Sequence, residues 1–343
     1  MISEIISEQN ISAANSLINR SNNIVIVAHI SPDGDAMGSS LAMCQLIKNL
    51  GKKTTVVLND SYSDNLSWMP GADQIIILEE NRSEAEKTIS ESDVIICLDF
   101  NQAKRMGPLA DVVLNHDAPR ILIDHHLYPD DFCNVTISHP KISSTSELVY
   151  RFIVQSKLSE YIDKNIATCI YTGMMTDTGA FTYNSNSSEI YVVISELLKY
   201  GINKDEIYDK VNNTFSECRE RLMGYTINEK MRVYPEYCAA MISLTKEELD
   251  KYNFKKGDSE GFVNIPLAIK DIVFSVFFRE DSEYIKVSLR SKGDFPANKV
   301  SENHFNGGGH KNAAGGEFWG TMEEAIQLFE SVLPEYKKYL TEK

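Results

Sequence analysis

The 343-residue sequence contains no apolar run that approaches the roughly 20 residues needed for a membrane-spanning helix. Its first residues, MISEIISEQNIS, are acidic and amphipathic and lack the basic start of a signal peptide. We interpret them as a surface helix. The sequence therefore predicts a cytoplasmic protein that does not bind a membrane.

Cysteine is sparse, and the six cysteines form no CxxC pair. Several lie inside apolar segments, such as VIICLD and ATCIYT. This pattern is typical of buried, reduced thiols in a cytoplasmic protein and disfavours a cysteine zinc site.

Basic residues are outnumbered, since 34 Lys and Arg face 49 Asp and Glu and give a formal net charge of −15. A field of this sign repels nucleic acid at long range and disfavours duplex DNA as a partner. A small anionic substrate remains compatible if metal ions and local cations supply the attraction. With 43% hydrophobic and 24% charged residues, the composition is that of a globular protein.

The first part of the chain alternates strand-like and helix-like segments. Several strand segments lack polar alternation, as strands covered on both faces should. This predicts an open, mostly parallel sheet sandwiched by helices. Helix segments include LAMCQLIKNL and SSTSELVYRFIVQS, the latter with Ser144 and Glu147 at capping-box spacing. The predicted strands are NIVIVA (23–28), KTTVVLN (53–59), QIIIL (74–78), DVIICLD (93–99), RILID (120–124) and NVTI (134–137).

Beyond this α/β part, residues 189–228 are helical and charged, and we interpret them as a connector. Strand signals then return in EYCAAMISL, DIVFSVFFRE and EYIKVSLRS, followed by the glycine-rich NGGGHKNAAGG. A last helix follows, with Thr321 and Glu324 at capping-box spacing. We therefore predict three parts: an α/β domain at 1–188, a connector at 189–228, and a smaller α+β domain with a mixed sheet at 229–343.

Aspartate and histidine recur in the first domain where strands end or a helix is interrupted. In α/β sheets that edge is where ligands bind. A single Asp after a strand is usually a turn former or a helix cap, but carboxylates gathered at one edge repel each other unless a cation joins them. The residues are His29, Asp33, Asp35, Asp99, Asp124, His125, His126 and Asp177.

Oxygen and imidazole donors without thiolates suit Mn²⁺, Mg²⁺ or Fe²⁺ better than structural zinc. Six of these candidates are more than one ion needs from the protein, so two ions sharing a carboxylate is the simplest account. Such pairs lie about 3.5–4 Å apart and promote phosphoester hydrolysis. His125 and His126 are adjacent, so in an extended segment we expect their side chains to point to opposite faces.

The segments HISPDGDAMGSS, DVIICLD, IDHH and TDTGAF resemble the four motifs of the DHH phosphoesterases, in order and approximate spacing. GGGHKNAAGG, at 307–316, resembles the signature of the DHH-associated C-terminal domain. Together these resemblances span nearly the whole chain.

The resemblance implies a site for two Mn²⁺ ions, with Asp99 as the bridging carboxylate. His126 matches the histidine that faces the substrate phosphate. Asp124 is expected to orient the motif without being a metal ligand itself. The implied metal ligands are His29, Asp33, Asp35, Asp99, His125 and Asp177.

The C-terminal domain carries a second set of candidates, for substrate binding. Glycines at 307–309 let backbone amides approach an anion, His310 can donate to a phosphate, and Arg290 can clamp one. Ser291, next to Arg290, is a further candidate for substrate binding, and Arg105, in the first domain, is a weaker one. Cations also outnumber acids between 286 and 311: Lys286, Arg290, Lys292, Lys299 and Lys311 against Asp294 and Glu302.

The size and layout resemble the branch of the family that cuts very short RNAs to mononucleotides and converts 3′-phosphoadenosine 5′-phosphate to AMP. Its substrates, short single-stranded RNA or small phosphorylated nucleotides, are the partners we expect, and a homodimer is compatible with the sequence. The alternative within the family is a cyclic di-AMP or pApA phosphodiesterase. The alternative from another class is a non-catalytic nucleotide or metal sensor. A nicotinamide-cofactor enzyme is disfavoured because SPDGDAMGS, not GxGxxG, follows the first strand.

Overall fold

The computed structural model describes residues 2–339, which form two compact units, one ending at Thr214 and one beginning at Phe215. Of the helices in the predicted connector, those before Thr214 belong to the first unit and the next one to the second unit. Within residues 2–339, no helix combines the length and the apolar character needed to cross a bilayer.

The first unit is built on a six-stranded parallel sheet with the strand order β3-β2-β1-β4-β5-β6. All six predicted strands are present, and the predicted α/β fold is confirmed. The strands are β1 Asn23–Val27, β2 Lys53–Leu58, β3 Ile76–Ile77, β4 Val94–Leu98, β5 Arg120–Asp124 and β6 Val135–Ser138.

Helices cover both faces of this sheet. Ile24 and Ile26 of β1 pack into one apolar cluster, whereas Val25 and Val27 pack into another on the opposite face. Because both faces are buried, the strand needs an unbroken apolar run. The helices are α1 Glu8–Arg20, α2 Gly34–Asn49, α3 Arg82–Ser90, α4 Leu109–Leu114, α5 Thr145–Gln155, α6 Lys164–Asp177, α7 Ser188–Leu198 and α8 Lys204–Asn212.

Two helix starts differ in detail from the sequence-based expectation. The predicted N-terminal helix begins only at Glu8, because Ser7 caps it by accepting from the amide of Asn10. The predicted capping box at Ser144 is half formed. Ser144 accepts from the amide of Glu147, but the Glu147 carboxylate accepts instead from the amide and hydroxyl of Ser143.

The strand order places a topological switch point between β1 and β4. From β1 the chain moves to β2 on one side, and β4 pairs with β1 on the other side. Ligands of open α/β sheets bind outside the carboxyl ends of the strands at such a point. His29 follows β1 and Asp99 follows β4, so both lie at this position.

Helices α2 and α6 pack unusually closely beside the switch point. A Cβ atom on Gly34 would lie 2.3 Å from the hydroxyl of Thr176, and one on Gly38 would lie 2.6 Å from the carbonyl oxygen of Cys169. The glycines therefore permit an antiparallel contact. This contact brings the first turn of α2, with Asp35, beside the last turn of α6, with Asp177.

The second unit contains a mixed six-stranded sheet with the order β11-β12-β10-β9-β8-β7, in which only β8 and β9 are parallel. The predicted mixed sheet is confirmed, and the glycine-rich stretch contributes two of its strands. The strands are β7 Met231–Tyr234, β8 Ala239–Leu244, β9 Phe274–Glu280, β10 Ile285–Ser291, β11 Gly308–His310 and β12 Ala313–Phe318.

One face of this second sheet is covered by helices and holds an aromatic core that includes Phe274, Phe278 and Phe329. The predicted capping box of the last helix is confirmed, with Thr321 and Glu324 bonded reciprocally. The helices are α9 Glu217–Tyr225, α10 Lys246–Lys251, α11 Ala297–His304 and α12 Met322–Tyr336.

Candidate metal centre

The loop after β1 supplies the first group of the centre. The Nδ1 of buried His29 lies 2.7 Å from the carbonyl oxygen of Ile30, so this nitrogen carries the proton and Nε2 faces the carboxylates. His29 Nε2 is 3.5 Å from Asp99 Oδ2 and 3.9 Å from Asp33 Oδ1. Asp33 also caps α2 by accepting from the amides of Asp35 and Ala36. The helix cap and a candidate ion ligand are thus the same residue.

Asp99 is the central residue of the centre. It follows β4 with a φ of 65°, in the left-handed region that non-glycine residues rarely adopt. Its Oδ2 faces His29, whereas its Oδ1 lies 3.7 Å from His125 Nε2 and 3.7 Å from His126 Nδ1. The hydroxyl of Thr145 donates to Oδ1 at 2.8 Å. The two oxygens of this buried carboxylate therefore face different residues: Oδ2 faces His29, and Oδ1 faces His125 and His126.

The second group consists of Asp35, His125 and Asp177. His125 Nε2 is 3.6 Å from Asp177 Oδ2 and 3.9 Å from Asp35 Oδ2. The first turn of α5 holds Asp35: the amide of Thr145 donates to Oδ2 at 2.6 Å and the amide of Ser146 to Oδ1 at 2.9 Å. These amides would otherwise lack partners at a helix start, where negative charge is favoured.

The two adjacent histidines are held differently. Both follow the end of β5 at Asp124, their rings lie 4.9 Å apart at an angle of 76°, and both reach to 3.7 Å from Asp99 Oδ1. The prediction that they point to opposite faces is therefore wrong. His125 Nδ1 lies 3.2 Å from the carbonyl of Ile142, whereas His126 Nδ1 lies 2.7 Å from Asp124 Oδ1. Asp124 also accepts from the amide of His126.

The electrostatics of the protein alone are those of a crowded anionic site. Burial, together with the Asp99 and Asp177 carboxylates, raises the pKa of Asp35 well above its usual range. Burial lowers the pKa of His125, but the carboxylates of Asp177, Asp99 and Asp35 outweigh it and raise that pKa to about 9. Burial raises the pKa of Asp99 too, but the hydrogen bond with His29 and the nearby imidazoles bring it below its usual range. A bound cation would relieve this repulsion.

The structure brings all six predicted ligand residues together. Within each of two groups, ligand atoms lie within 4.8 Å of one another: His29, Asp33 and Asp99 in one, and Asp35, His125 and Asp177 in the other. A further group joins Asp99 to Asp124 and His126. Carboxylate oxygens and imidazole nitrogens in this number fit divalent ions that prefer oxygen and nitrogen donors.

Arg105, the remaining candidate in the first unit, lies on a short 3₁₀ turn beside the loop after β1. Its carbonyl oxygen accepts from the amide of Ile30 at 2.8 Å. Burial lowers the pKa of His29, but the hydrogen bond with Asp99 and the nearby carboxylates raise it overall, and the Arg105 guanidinium opposes this rise. Arg105 therefore places a positive charge at the edge of an acidic centre.

In the second unit, Arg290 and His310 share a face of the sheet. Both lie directly opposite Ala313, one on each neighbouring strand, and directly opposed residues of antiparallel strands point the same way. Ser291 points to the other, buried face, where its hydroxyl donates to the carbonyl of Phe295. The structure does not bring Ser291 to the face that carries Arg290.

The three glycines before His310 have different surroundings. A Cβ on Gly307 would lie 1.9 Å from the carbonyl oxygen of Gly315, and one on Gly309, where φ is 139°, would lie 2.6 Å from that of Ala313. These two glycines therefore allow β11 and β12 to pair closely. Gly308 instead faces open space.

Sequence reasoning missed three residues that hold the centre in place. Thr145 and Ser146 fix Asp35 and Asp99 from more than forty positions away, which no local pattern reveals. Asp60 accepts from the amide of Ser31 at 2.8 and 3.0 Å and so fixes the loop after β1. Asp60 follows β2 at the same sheet edge, so its position after a predicted strand could have identified it as part of the centre.

Comparison with known families gives two matches along the chain. Residues 23–174 match the DHH family, N-terminal domain, and residues 236–335 match the DHHA1 domain. The first match contains all of the metal-centre candidates except Asp177, and the second contains Arg290 and His310.

Curated relatives span nearly the full length of the chain. The bifunctional oligoribonuclease and PAP phosphatase NrnA of Thermus thermophilus is 29% identical over 93% of this chain and 90% of that protein. The protein of the same name from Bacillus subtilis is 24% identical over 92% of this chain and 96% of that protein.

Solved structures share the fold. An exopolyphosphatase-related protein from Bacteroides fragilis is 54% identical, with a TM-score of 0.95 over 99% of this chain and 100% of that one. RecJ of Thermus thermophilus in complex with Mn²⁺ is 13% identical, with a TM-score of 0.58 over 98% of this chain and 56% of that one, and shares the fold alone. The chain therefore belongs to the DHH family of phosphoesterases, carries a DHHA1 domain in its second unit, and is a metal-dependent phosphoesterase.

Proposed function

We propose that this protein hydrolyses very short oligoribonucleotides to mononucleotides and converts 3′-phosphoadenosine 5′-phosphate to AMP, with two Mn²⁺ ions at one centre. The observation that carries the proposal is the position of Asp99, with Oδ2 3.5 Å from His29 and Oδ1 3.7 Å from His125. The names of the relatives from Thermus thermophilus and Bacillus subtilis support the substrate class.

Asp99 is the shared ligand in this proposal. His29 and Asp33 complete one ion site with it, and the second group completes the other: Asp35, His125 and Asp177. The donor set suits Mn²⁺, with Mg²⁺ or Fe²⁺ as alternatives. When bound, such ions polarise the phosphoryl oxygens and acidify the attacking water.

The residues behind the ligands set the direction of each imidazole. His125 and His29 donate through Nδ1 to backbone carbonyls, which leaves each Nε2 as a ligand atom. His126 donates through Nδ1 to Asp124 at 2.7 Å, and in its doubly protonated form it would also donate through Nε2 to a phosphate oxygen. Asp124 thereby holds the His126 ring in one orientation.

The second unit supplies substrate binding in this proposal. Arg290 can clamp a phosphate with paired hydrogen bonds, and His310, on the same face, can donate another. The open backbone at Gly308 allows an anion to approach. Arg105 adds a cation beside the metal centre in the first unit.

Two alternatives lead to different results in one experiment. The same metal residues would serve a cyclic di-AMP or pApA phosphodiesterase. A sensor of nucleotides or ions would tolerate loss of ligand residues, whereas all six are present here.

The experiment is a parallel assay of the purified protein with Mn²⁺. The substrates are a di- and a triribonucleotide, pApA, cyclic di-AMP, 3′-phosphoadenosine 5′-phosphate, pyrophosphate and a short polyphosphate. We expect hydrolysis of the ribonucleotides and of 3′-phosphoadenosine 5′-phosphate. Activity restricted to cyclic di-AMP and pApA would favour the first alternative. If none of the substrates is hydrolysed although Mn²⁺ is bound, the proposal is contradicted and a sensor is favoured.

A further inference from the structure

The face of the second sheet that carries Arg290 continues along β10 beyond this residue. Along β10, Ile285, Val287 and Leu289 are buried in the core, and the residues between them point to the other face. From one end of this face to the other, those residues are Arg290, Ser288, Lys286 and, just before the strand, Tyr284. We call this surface the open face.

A cavity of about 50 Å³ lies in the open face, lined by Arg279, Lys286, Ser288 and Arg290 together with residues 259–261. One water needs roughly 10–15 Å³ by the same measure, so the cavity has room for a phosphate group. Arg279 lies directly opposite Lys286 on the neighbouring strand, and such a like-charge pair is unfavourable in the protein alone.

The charges in this cavity are only partly balanced. Arg279 pairs with Asp281 at 2.9 Å and donates to the hydroxyl of Ser259. Lys286 has no hydrogen-bond or ion-pair partner among the described residues, although Glu317 lies opposite it on β12. Burial, with the charge of Arg279 beside it, lowers the pKa of Lys286, although the carboxylates of Glu260, which lines the cavity, and Asp281 oppose this shift. The three cations Arg279, Lys286 and Arg290 outnumber these two carboxylates, so the cavity favours an anion from outside.

An aromatic pair lies at the far end of the open face. The rings of Tyr284 and Trp319 are 6.3 Å apart, and Trp319 is 60% exposed. A single exposed tryptophan needs no explanation by itself. Here it continues a row that also holds Lys286 and Arg290. Proteins that bind single-stranded nucleic acids place cationic side chains along the phosphate backbone and aromatic side chains against the bases, which stack on them.

We propose that the open face binds a single-stranded oligoribonucleotide longer than a dinucleotide, with Lys286 on a backbone phosphate and a base stacked on Trp319 and Tyr284. This inference rests on the proposed function, in which Arg290 clamps a phosphate of the substrate. It adds a length preference and the residues that set it.

The dimensions of β10 decide which substrates reach the aromatic pair. Arg290 lies six positions after Tyr284, a distance of roughly 20 Å at about 3.3 Å per residue. A stacked strand rises about 3.4 Å per nucleotide along its axis, so a strand anchored at Arg290 must be several nucleotides long to reach Trp319. A dinucleotide is too short, whereas a pentanucleotide in a partly extended form spans the distance.

The first experiment measures binding without hydrolysis. The chain has two tryptophans, and Trp68 lies in the first unit, so Trp68→Phe leaves Trp319 as the only tryptophan reporter. In EDTA, we expect a pentaribonucleotide to quench this fluorescence at concentrations where AMP does not. Lys286→Gln in the same background should weaken the quenching and its salt dependence. Equal quenching by AMP and the pentamer, or none by either, would overturn the inference.

The second experiment measures the ratio of kcat/KM for a pentaribonucleotide to that for a diribonucleotide. Trp319→Ala should lower this ratio about tenfold, and Trp319→Phe should restore most of it, because any aromatic ring can stack a base. The control Tyr191→Ala, which removes an aromatic ring that is 52% exposed in the first unit, should leave the ratio unchanged. Equal losses on both lengths, or no loss on either, would overturn the inference.

Two further outcomes separate a failure of the proposed function from a failure of this inference. If no ribonucleotide is hydrolysed, the proposed function fails, but quenching by the pentamer would still support a binding face for single strands. If Trp319→Ala changes only the oligomeric state in size-exclusion chromatography, the aromatic pair belongs to a protein interface and the inference is wrong.

Discussion

The hydroxyl of Thr145 offers a sharp test of how the metal centre is held together. It donates to Asp99 Oδ1 at 2.8 Å, and both residues are buried. Thr145→Val keeps the size of the side chain and the amide that binds Asp35, but it removes this donor. A hydrogen bond to a charged group is worth about 1.5–3 kcal/mol, and we expect the free energy of unfolding without metal to fall by that amount.

The effect on ion binding should be larger than the effect on folding. Partners that hydrogen-bond a metal ligand are worth about 10- to 100-fold in affinity or activity. We therefore expect Thr145→Val to raise the Mn²⁺ concentration for half-maximal hydrolysis by that factor. The measurement is a Mn²⁺ titration of activity beside urea unfolding in EDTA. Thr145→Ser, which keeps the hydroxyl, should retain most of the wild-type behaviour.

The matched control is Thr172→Val. Thr172 is also buried, but its hydroxyl donates to the carbonyl of Thr168 within α6. This variant should lose some stability and keep the wild-type Mn²⁺ requirement. If Thr145→Val and Thr172→Val have the same Mn²⁺ requirement, the hydroxyl does not orient Asp99 and the reasoning is refuted.

Three further predictions concern other parts of the chain. Asp99→Ala should abolish hydrolysis while circular dichroism stays native, and wild-type rates with Mn²⁺ would refute the shared-ligand role. Arg290→Ala should raise KM for phosphorylated substrates without changing the Mn²⁺ requirement, and unchanged KM values would remove it from the substrate site. Hydrogen bonds from Ser3 and Arg151 lower the pKa of Glu189 from 4.5 to about 2, so its contribution to stability is complete above about pH 4.5 and is lost as pH falls toward 2. The difference in unfolding free energy between wild type and Glu189→Gln should shrink over that range, and a constant difference would contradict the assignment.

The sheet of the first unit was predictable because its strands are buried on both faces. Segments such as the one before His29 are apolar without alternation and end at Asp, Asn or His. Parallel strands place their carboxyl ends at one edge, so residues after β1, β4 and β5 had to lie near each other once the fold class was known. The six ligand candidates follow from that geometry together with the family motifs.

The supports of the centre were not predictable in the same way. Thr145 bonds to Asp35 from 110 positions away, a contact that depends on how α5 packs beside α2. His125 and His126 lie just beyond the end of β5, where the alternation of a strand no longer fixes the direction of a side chain. Likewise, the pairing of Arg290 and His310 with Ala313 depends on strand register, which the glycine-rich sequence left open.

The most direct test of the central claim is anomalous diffraction from crystals of the protein grown with Mn²⁺. The account predicts two manganese peaks about 3.5–4 Å apart, with Asp99 between them and His29 and His125 on opposite sides. A single peak, or two peaks that do not share Asp99, would contradict it.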